Sequence, residues 1–183
     1  MSANHPRTGA ALLPERQGTL TDAMQLAWHG RLFAILDACD MPAIPPKARA
    51  LGERAVSLYA GSADEDHWAI APYLVAVDRA TLDWMLHTVW NEPWGILIEA
   101  DATMETLRTH VRRFLTVRHP DGRAVYFRFY DPRVLPVLLR HSSDAELTDF
   151  FGPVGAFGVA APGATSLTWF ALAAGLRATG PVP

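Results

Sequence analysis

The sequence predicts one layered α/β domain in which a mixed β-sheet is flanked by helices and carries a β-hairpin. Short apolar runs of strand length alternate with segments of helical periodicity through the first two thirds of the chain. A Pro-Asp-Gly turn at 120–122 then separates two further strand-like runs. With 183 residues, the chain can bury one core without a disulfide or metal. We expect a flexible leader over 1–20, a single domain over 21–176 and a tail over 177–183.

Three apolar runs are predicted to be buried strands, at 31–36, 73–77 and 96–98. The run 73–77 is apolar on both faces, which indicates a strand covered by helices on both sides. Pro45 and Pro46 can open a helix, so residues 47–56 are predicted to form a first crossover helix. Because the hairpin adds antiparallel strands, we expect the sheet to be mixed.

Two further helices are predicted, over 79–90 and from a cap at Asp101 or Thr103 to about residue 114. The buried face of the first contains four apolar residues at helical spacing: Leu82, Met85, Leu86 and Val89. Trp84 lies about 160° from the centre of that face. We therefore expect Trp84 to point away from the core.

The hairpin strands are predicted over 115–118 and 124–130. Asp131 then suits a helix N-cap and Pro132 the first helical position, with the helix continuing to about residue 140. The remaining elements are predicted to be a helix over 144–151 and strands over 156–160 and 167–172.

Charged residues cluster where the hairpin passes into this helix. Arg128 and Arg133 are both expected to reach Asp131 and to brace the strand-to-helix corner by charge-assisted hydrogen bonds. An alternative stays open, in which Asp131 acts with Arg128 or Arg133 as the anion clamp of a small hydrolase or transferase. The two hypotheses differ in whether these groups pair with one another or line a concave pocket with a histidine.

Composition argues against several classes of protein. Sixteen basic and 19 acidic residues leave a net charge of -3, and no basic stripe points to nucleic acid. The single cysteine, Cys39, excludes an intrachain disulfide framework and fits a reducing compartment. Pro162, Gly163 and the hydroxyl residues at 165, 166 and 168 interrupt the apolar stretch 154–176, so no membrane span is expected. The seven histidines form no metal-ligand motif and no nucleophile motif is present, so we expect no catalytic residue, metal or cofactor.

Six tryptophans are more than a core of this size needs, and aromatic residues are enriched at protein contact surfaces. The candidate partner-binding residues are Trp84, His87, Trp90 and Trp94.

The stretch Phe127-Arg-Phe-Tyr-Asp-Pro-Arg-Val-Leu135 resembles the signature of a bacterial family filed as a domain of unknown function and found in type VI secretion effector chaperones, also called adaptors. Other blocks agree in order, among them Leu32-Phe-Ala-Ile-Leu-Asp37 and Phe150-Phe-Gly-Pro153. The resemblance extends over about residues 26–172. Four residues match the signature core: Arg128, Asp131, Pro132 and Arg133.

The resemblance implies a cytoplasmic, non-enzymatic adaptor without a cofactor. Such a protein holds a toxic effector, often by its N-terminal or PAAR-containing region, and loads it onto the spike protein of the secretion apparatus. Its partners would be the effector and the spike, with no nucleic acid and no membrane. Many members of that family carry a further C-terminal region, so the resemblance leaves open whether this chain is a minimal adaptor or lacks part of the partner surface. An immunity protein that neutralises a toxin is the other binding function left open.

Overall fold

The structure is a computed structural model that describes residues 11–59, 68–119 and 121–173. Its strands are β1 (Arg16–Thr19), β2 (Leu32–Asp37), β3 (Ala55–Ser57), β4 (Pro72–Ala76), β5 (Gly95–Ala100), β6 (Thr116–Arg118), β7 (Ala124–Tyr126), β8 (Val154–Ala160) and β9 (Ser166–Ala171). Its α-helices are α1 (Leu20–Trp28), α2 (Ile44–Leu51), α3 (Arg79–Thr88), α4 (Met104–Arg112), α5 (Leu135–His141) and α6 (Asp144–Phe151).

Seven strands form one sheet in the order β1-β9-β8-β5-β2-β4-β3, and within the described residues β6 pairs only with β7. The middle strand of the sheet is β5, and its neighbour β2 has six residues that are all buried. There Ile35 pairs with Leu74 on one side and with Ile96 on the other. The apolar runs that predict strands are therefore the middle of the sheet.

Helices cover both faces of this sheet. On one face α1, α2 and α3 pack through residues such as Ala23, Ile44 and Met85. On the other face α4, α5 and α6 pack through residues such as Leu107 and Leu139. Each face has its own apolar core, which is why the central strands are apolar on both sides.

The predicted layered α/β class, with helices around a sheet and a separate β-hairpin, is confirmed. The directions of the strands differ from the expectation, because every strand pair in the described residues is antiparallel. Helix α2, which follows β2, and helix α3, which follows β4, therefore do not connect adjacent parallel strands. A continuous apolar run indicates that a strand is buried on both faces, but it does not indicate whether neighbouring strands are parallel or antiparallel. The hairpin also forms its own sheet and does not extend the main one.

The predicted N-terminal leader ends too late. Within its last ten residues, Arg16–Thr19 forms β1 and pairs with β9. Helix α1 follows at once, because the Thr19 hydroxyl accepts from the Asp22 amide and the Asp22 carboxylate accepts from the Thr19 amide at 2.7 Å. The sequence pattern Thr-x-x-Asp is typical of such a capping box, so this helix start could have been predicted. Residues 1–10 and the predicted tail 177–183 lie outside the described residues.

Two helices begin elsewhere than predicted. Helix α2 begins at Ile44, so Pro45 and Pro46 lie in its first turn, where a missing N–H costs nothing. Helix α5 begins at Leu135, well after Asp131. The second hairpin strand ends at Tyr126, four residues earlier than predicted.

A substitution at Gly95, the first residue of β5, tests how closely the main chains of β2 and β5 approach each other. Its φ is +137°, and an added Cβ would lie 1.9 Å from the carbonyl oxygen of Ile35 on β2. We expect Gly95→Ala to lower the free energy of unfolding by about 3 kcal/mol or more, because the main chains of β2 and β5 must separate. Gly30→Ala is the matched control, since Gly30 also has a positive φ of +67° but open space around it. Urea unfolding should show a loss of only about 1 kcal/mol for this control. Equal losses for the two variants would contradict the close approach of β2 and β5.

Candidate functional site

The residues that carry the family resemblance form a corner between β7 and α5, and residues 127–135 are called the signature corner below. The chain leaves the hairpin ladder after Tyr126 and turns, with the Asp131 amide donating to the Arg128 carbonyl at 3.0 Å. Phe129 and Tyr130 are both buried, although strand alternation predicts that they point in opposite directions. The Phe129 ring packs edge-on against Phe150, with 5.3 Å between the ring centroids. These contacts fix the signature corner to the core beneath α4–α6.

Asp131 is held by Arg133, as predicted. The Arg133 guanidinium donates from Nε to Oδ1 at 2.9 Å and from Nη2 to Oδ2 at 2.6 Å. The Arg133 main-chain amide also donates to Oδ1 at 2.8 Å. These hydrogen bonds to Arg133 lower the pKa of the Asp131 carboxyl below its ordinary value. The carboxylate is thus ionised at neutral pH, with both oxygens occupied.

Asp131 is not the N-cap of α5, which corrects the prediction. Its carboxylate closes a local turn onto the Arg133 amide, the behaviour of an Asx turn. Its main-chain carbonyl accepts from the amides of Val134 and Leu135 at 2.9 and 3.0 Å. Pro132 therefore lies in a turn that precedes the helix.

Arg128 does not pair with Asp131, and this part of the prediction is wrong. Its Nη2 donates to Oδ2 of Asp37, the last residue of β2, which is only 2% exposed. The other oxygen of Asp37 accepts from the Cys39 amide at 3.1 Å. Burial raises the pKa of the Asp37 carboxyl, and the hydrogen bond from Arg128 opposes that rise. Removing Arg128 would leave a buried carboxylate without a cationic partner.

Asp37 is the functional residue that sequence reasoning missed. It stands at the end of the run Leu32-Phe-Ala-Ile-Leu, where an acidic residue usually marks the exit of a strand into solvent. Its partner lies 91 residues later, and no local pattern links the two. The only available signal was the excess of one cation at the signature, which has two arginines for one aspartate.

A cleft of about 510 Å³ lies beside the signature corner. It is lined by Pro93, Pro132, Arg133, Val159, Ala160, Ala161, Pro162, Ala164, Ser166 and Thr168. Arg133 is the one charged residue of this lining, and Asp131 neutralises it. No histidine or carboxylate belongs to the lining as the described residues define it. The cleft is therefore mainly a surface of small apolar side chains.

Trp90 and Trp94, predicted to bind a partner, are instead buried at 5% and 2% exposure. Their rings stack with 5.3 Å between centroids, and the Trp90 Nε1 donates to the Ala164 carbonyl at 2.7 Å. Both assignments as surface anchors are wrong. The two indoles support the loop that carries Ala164 and Pro162, and so hold one wall of the cleft.

Trp84 is half-buried and packs against the core on its own face of the sheet, with the Lys47 ammonium 5.2 Å from its ring centroid. The prediction that it points away from the core neglected α2, which lies alongside α3. His87 is exposed, and its Nδ1 lies 2.7 Å from the Asp83 carbonyl. The most exposed tryptophan of the described chain is Trp28, at 78%. The structure does not bring the four predicted anchors together as one exposed patch.

Two further observations concern other classes of site. Within residues 11–59, 68–119 and 121–173, no three histidine, cysteine or acidic side chains are grouped closely enough to hold a metal ion. None of the described helices has the length and apolar character needed to cross a bilayer.

Comparison with known proteins gives one match. The family described as "Domain of unknown function (DUF4123)" matches residues 32–149, which include β2, the signature corner and α5. No curated protein and no solved structure matches the chain significantly.

The ion pair between Arg128 and Asp37 is expected to stabilise the fold. Arg128→Ala should lower the free energy of unfolding by about 3 kcal/mol, because it leaves a buried charge unpaired. The double variant Arg128→Ala with Asp37→Asn removes that charge and should recover more than half of the loss. Chemical unfolding of the two single variants and the double variant gives the coupling energy. If the double variant loses the sum of what the two single variants lose, the pairing of Arg128 with Asp37 is contradicted.

The lowered pKa of Asp131 makes stability depend on pH. A carboxyl whose pKa is depressed in the folded state contributes stability above its unfolded pKa and loses it as pH falls through the folded pKa. Asp131→Asn should therefore be less stable at pH 7 by about 1–2 kcal/mol and should lose less stability than the parent chain from about pH 5 down to pH 3. Thermal unfolding across this range measures both effects.

Asp121→Asn is the matched control for this pH test. Asp121 also accepts from an arginine, Arg123, and its pKa is also lowered, but both partners are exposed. An exposed pair contributes little, so this variant should unfold at nearly the same temperature as the parent at pH 7. A loss as large as that of Asp131→Asn would contradict the importance of burial.

Proposed function

We propose a function from one premise, that this chain belongs to the family described as a domain of unknown function (DUF4123), whose model matches residues 32–149 of 183. The proposed function is that of a chaperone and adaptor for an effector of a type VI secretion system. In the cytoplasm of the producing cell it would bind a toxic effector by its N-terminal or PAAR-type region. It would then deliver that effector to the spike protein.

The observation that supports this proposal best is that the charged side chains of the signature are paired within the chain. Arg128 binds the buried Asp37, and Arg133 occupies both oxygens of Asp131. A general acid or base needs a lone pair or proton that can face a substrate. Neither carboxylate is placed in that way, since each is buried and hydrogen-bonded. Because these residues stabilise the scaffold, they support the hypothesis that the protein acts by binding a partner at its surface.

The surface next to the signature corner also favours binding. The cleft has walls of proline, alanine and valine side chains, and Trp90 and Trp94 stiffen one wall from below. Apolar side chains held by a rigid support are typical of sites that cover a segment of another protein. A stable complex of this kind buries on the order of 1,600 Å² in total, so the cleft would be only one part of the contact.

Co-expression with the effector and spike proteins encoded nearest to this chain's gene tests the proposal. We expect the tagged chain to capture the effector and to raise its soluble yield by about tenfold or more, because a covered apolar segment cannot aggregate. Fragments of the effector should differ in capture. We expect the tagged chain to capture the N-terminal or PAAR-type region and not the isolated toxin domain. Size-exclusion chromatography of the co-purified proteins, with the spike added, measures assembly.

Two results would contradict the proposal. Capture of the isolated toxin domain, together with protection of cells that express it, would make the chain an immunity protein. Turnover of a small substrate that Asp131→Asn abolishes without unfolding the chain would make it an enzyme. A stability-matched control is Gly30→Ala, whose site is remote from the signature and which should capture the effector as well as the parent does.

A further inference from the structure

The hairpin β6–β7 stands outside the main sheet, and all six of its strand residues are exposed. A two-stranded ribbon alone is marginally stable in water. In an antiparallel ladder, alternate residues turn their main-chain groups toward the partner strand. The pairs Leu115–Phe127 and His119–Arg123 carry such inward hydrogen bonds, each of 2.8 Å. The intervening residues Thr116 and Arg118 therefore direct their N–H and C=O groups to the free edge of β6.

A cleft of about 240 Å³ runs along this free edge. Thr116 and Val117 of β6 form one side, and residues of α5 and α6 form the other. Its floor is apolar and consists of Phe114, Val117, Phe127, Leu138 and Phe150. The rim holds the Arg113–Asp149 ion pair and Glu146, whose carboxylate accepts from the Ser143 amide at 2.7 Å. An extended chain placed beside β6 would lie in this cleft.

The two faces of the hairpin differ in chemistry. Val117 and Val125 are paired across the ribbon on the face that continues toward the core, and they are 40% and 38% exposed. The opposite face carries Arg118, paired with Ala124, and Tyr126, which packs on Tyr59. A strand added at the edge would meet apolar groups on one face and a guanidinium on the other.

Arg118 on the hairpin favours an acidic side chain in the occupant. Residues 105–141 contain eight arginines and three acidic residues, Asp144, Glu146 and Asp149 follow on α6, and the lining of the cleft itself holds Arg113, Glu146 and Asp149. Five of the arginines are in ion pairs: Arg113 with Asp149, Arg123 with Asp121, Arg128 with Asp37, Arg133 with Asp131 and Arg140 with Glu15. Arg108, Arg112 and Arg118 have no carboxylate partner among the described residues, and Arg118 lies on the hairpin. The lining of the cleft at the signature corner offers no arginine like Arg118, because its Arg133 is paired with Asp131.

We infer that the free edge of β6 and the cleft beside it bind an extended segment of a partner protein in which apolar residues alternate with acidic ones. The segment adds as a third strand, with its apolar side chains over Phe127 and Leu138 and an acidic side chain opposite Arg118. This mode combines main-chain hydrogen bonds for affinity with alternate side chains for specificity. The inference rests on the proposed function, since it gives the chemistry of the segment that an adaptor would hold.

Three labelled synthetic peptides of eight residues test the inference with the full chain by fluorescence anisotropy. They alternate valine with glutamate, valine with lysine, and serine with glutamate. We expect the valine–glutamate peptide to bind and the other two to bind about tenfold more weakly or worse, because each loses one of the two contacts. Hydrogen exchange should show protection of the Thr116 and Arg118 amides by the valine–glutamate peptide alone.

Arg118→Glu should reverse the preference, so that the valine–lysine peptide binds more tightly than the valine–glutamate peptide. Arg79→Glu makes the same charge change at an exposed residue of α3, on the other face of the sheet, and should leave the order unchanged. Both residues are exposed, so both variants should fold as the parent does, which thermal unfolding checks.

Three results would overturn the inference. The first is equal binding, or no binding, of the three peptides. The second is an unchanged order for Arg118→Glu, and the third is a concentration-dependent dimer in sedimentation that Arg118→Glu dissolves, since the occupant would then be a second copy. Failure of the proposed function is distinguishable. If the effector is captured equally by the parent and Arg118→Glu, only the surface is wrong; if the peptides behave as expected and no effector is captured, only the adaptor function is wrong.

Discussion

A carboxylate at the end of β2, an interior strand of the sheet, constrains the rest of the structure. Asp37 is almost fully buried, and burial of an unpaired carboxylate is costly. Arg128 meets this cost by joining the end of β2 to the signature corner. In the same corner Phe129 and Tyr130 enter the core beneath α4–α6, and Asp131 turns onto Arg133. The ion pair thus ties the chain between the hairpin and α5 to the end of β2.

The parts of the fold that follow from local patterns were predictable from the sequence. Apolar runs located β2, β4 and β5 to within a few residues, and Ser143 with Glu146 is a capping box where α6 was predicted. Strand direction was not predictable, because an antiparallel sheet buried on both faces has the same apolar pattern as a parallel one. Strand β1 was missed because Arg16–Thr19 contains no apolar residue and owes its structure to pairing with β9.

The candidate site was only half predictable for the same physical reason. The Asp131–Arg133 pair lies within three residues and follows from local geometry, whereas the Asp37–Arg128 pair depends on the whole fold. The tryptophans show the same limit. Helical spacing placed Trp84 on the far side of α3, but only the packed structure shows that α2 shields it, or that Trp90 and Trp94 stack beneath a loop.

Rigidity and exposure are divided between two neighbouring parts of the chain. The signature corner buries the rings of Phe129 and Tyr130 and pairs its charged side chains within the chain, so it holds the end of β7 at a fixed place. The hairpin just before it differs, with six exposed strand residues and, within the part of the chain that the structure describes, an open edge and an arginine without a carboxylate partner. A binding strand attached to a rigid base loses little conformational freedom when it meets a partner, and affinity improves when that loss is small. The family signature can therefore matter for binding although its arginines are paired within the chain, because it anchors the edge that we propose as the binding strand.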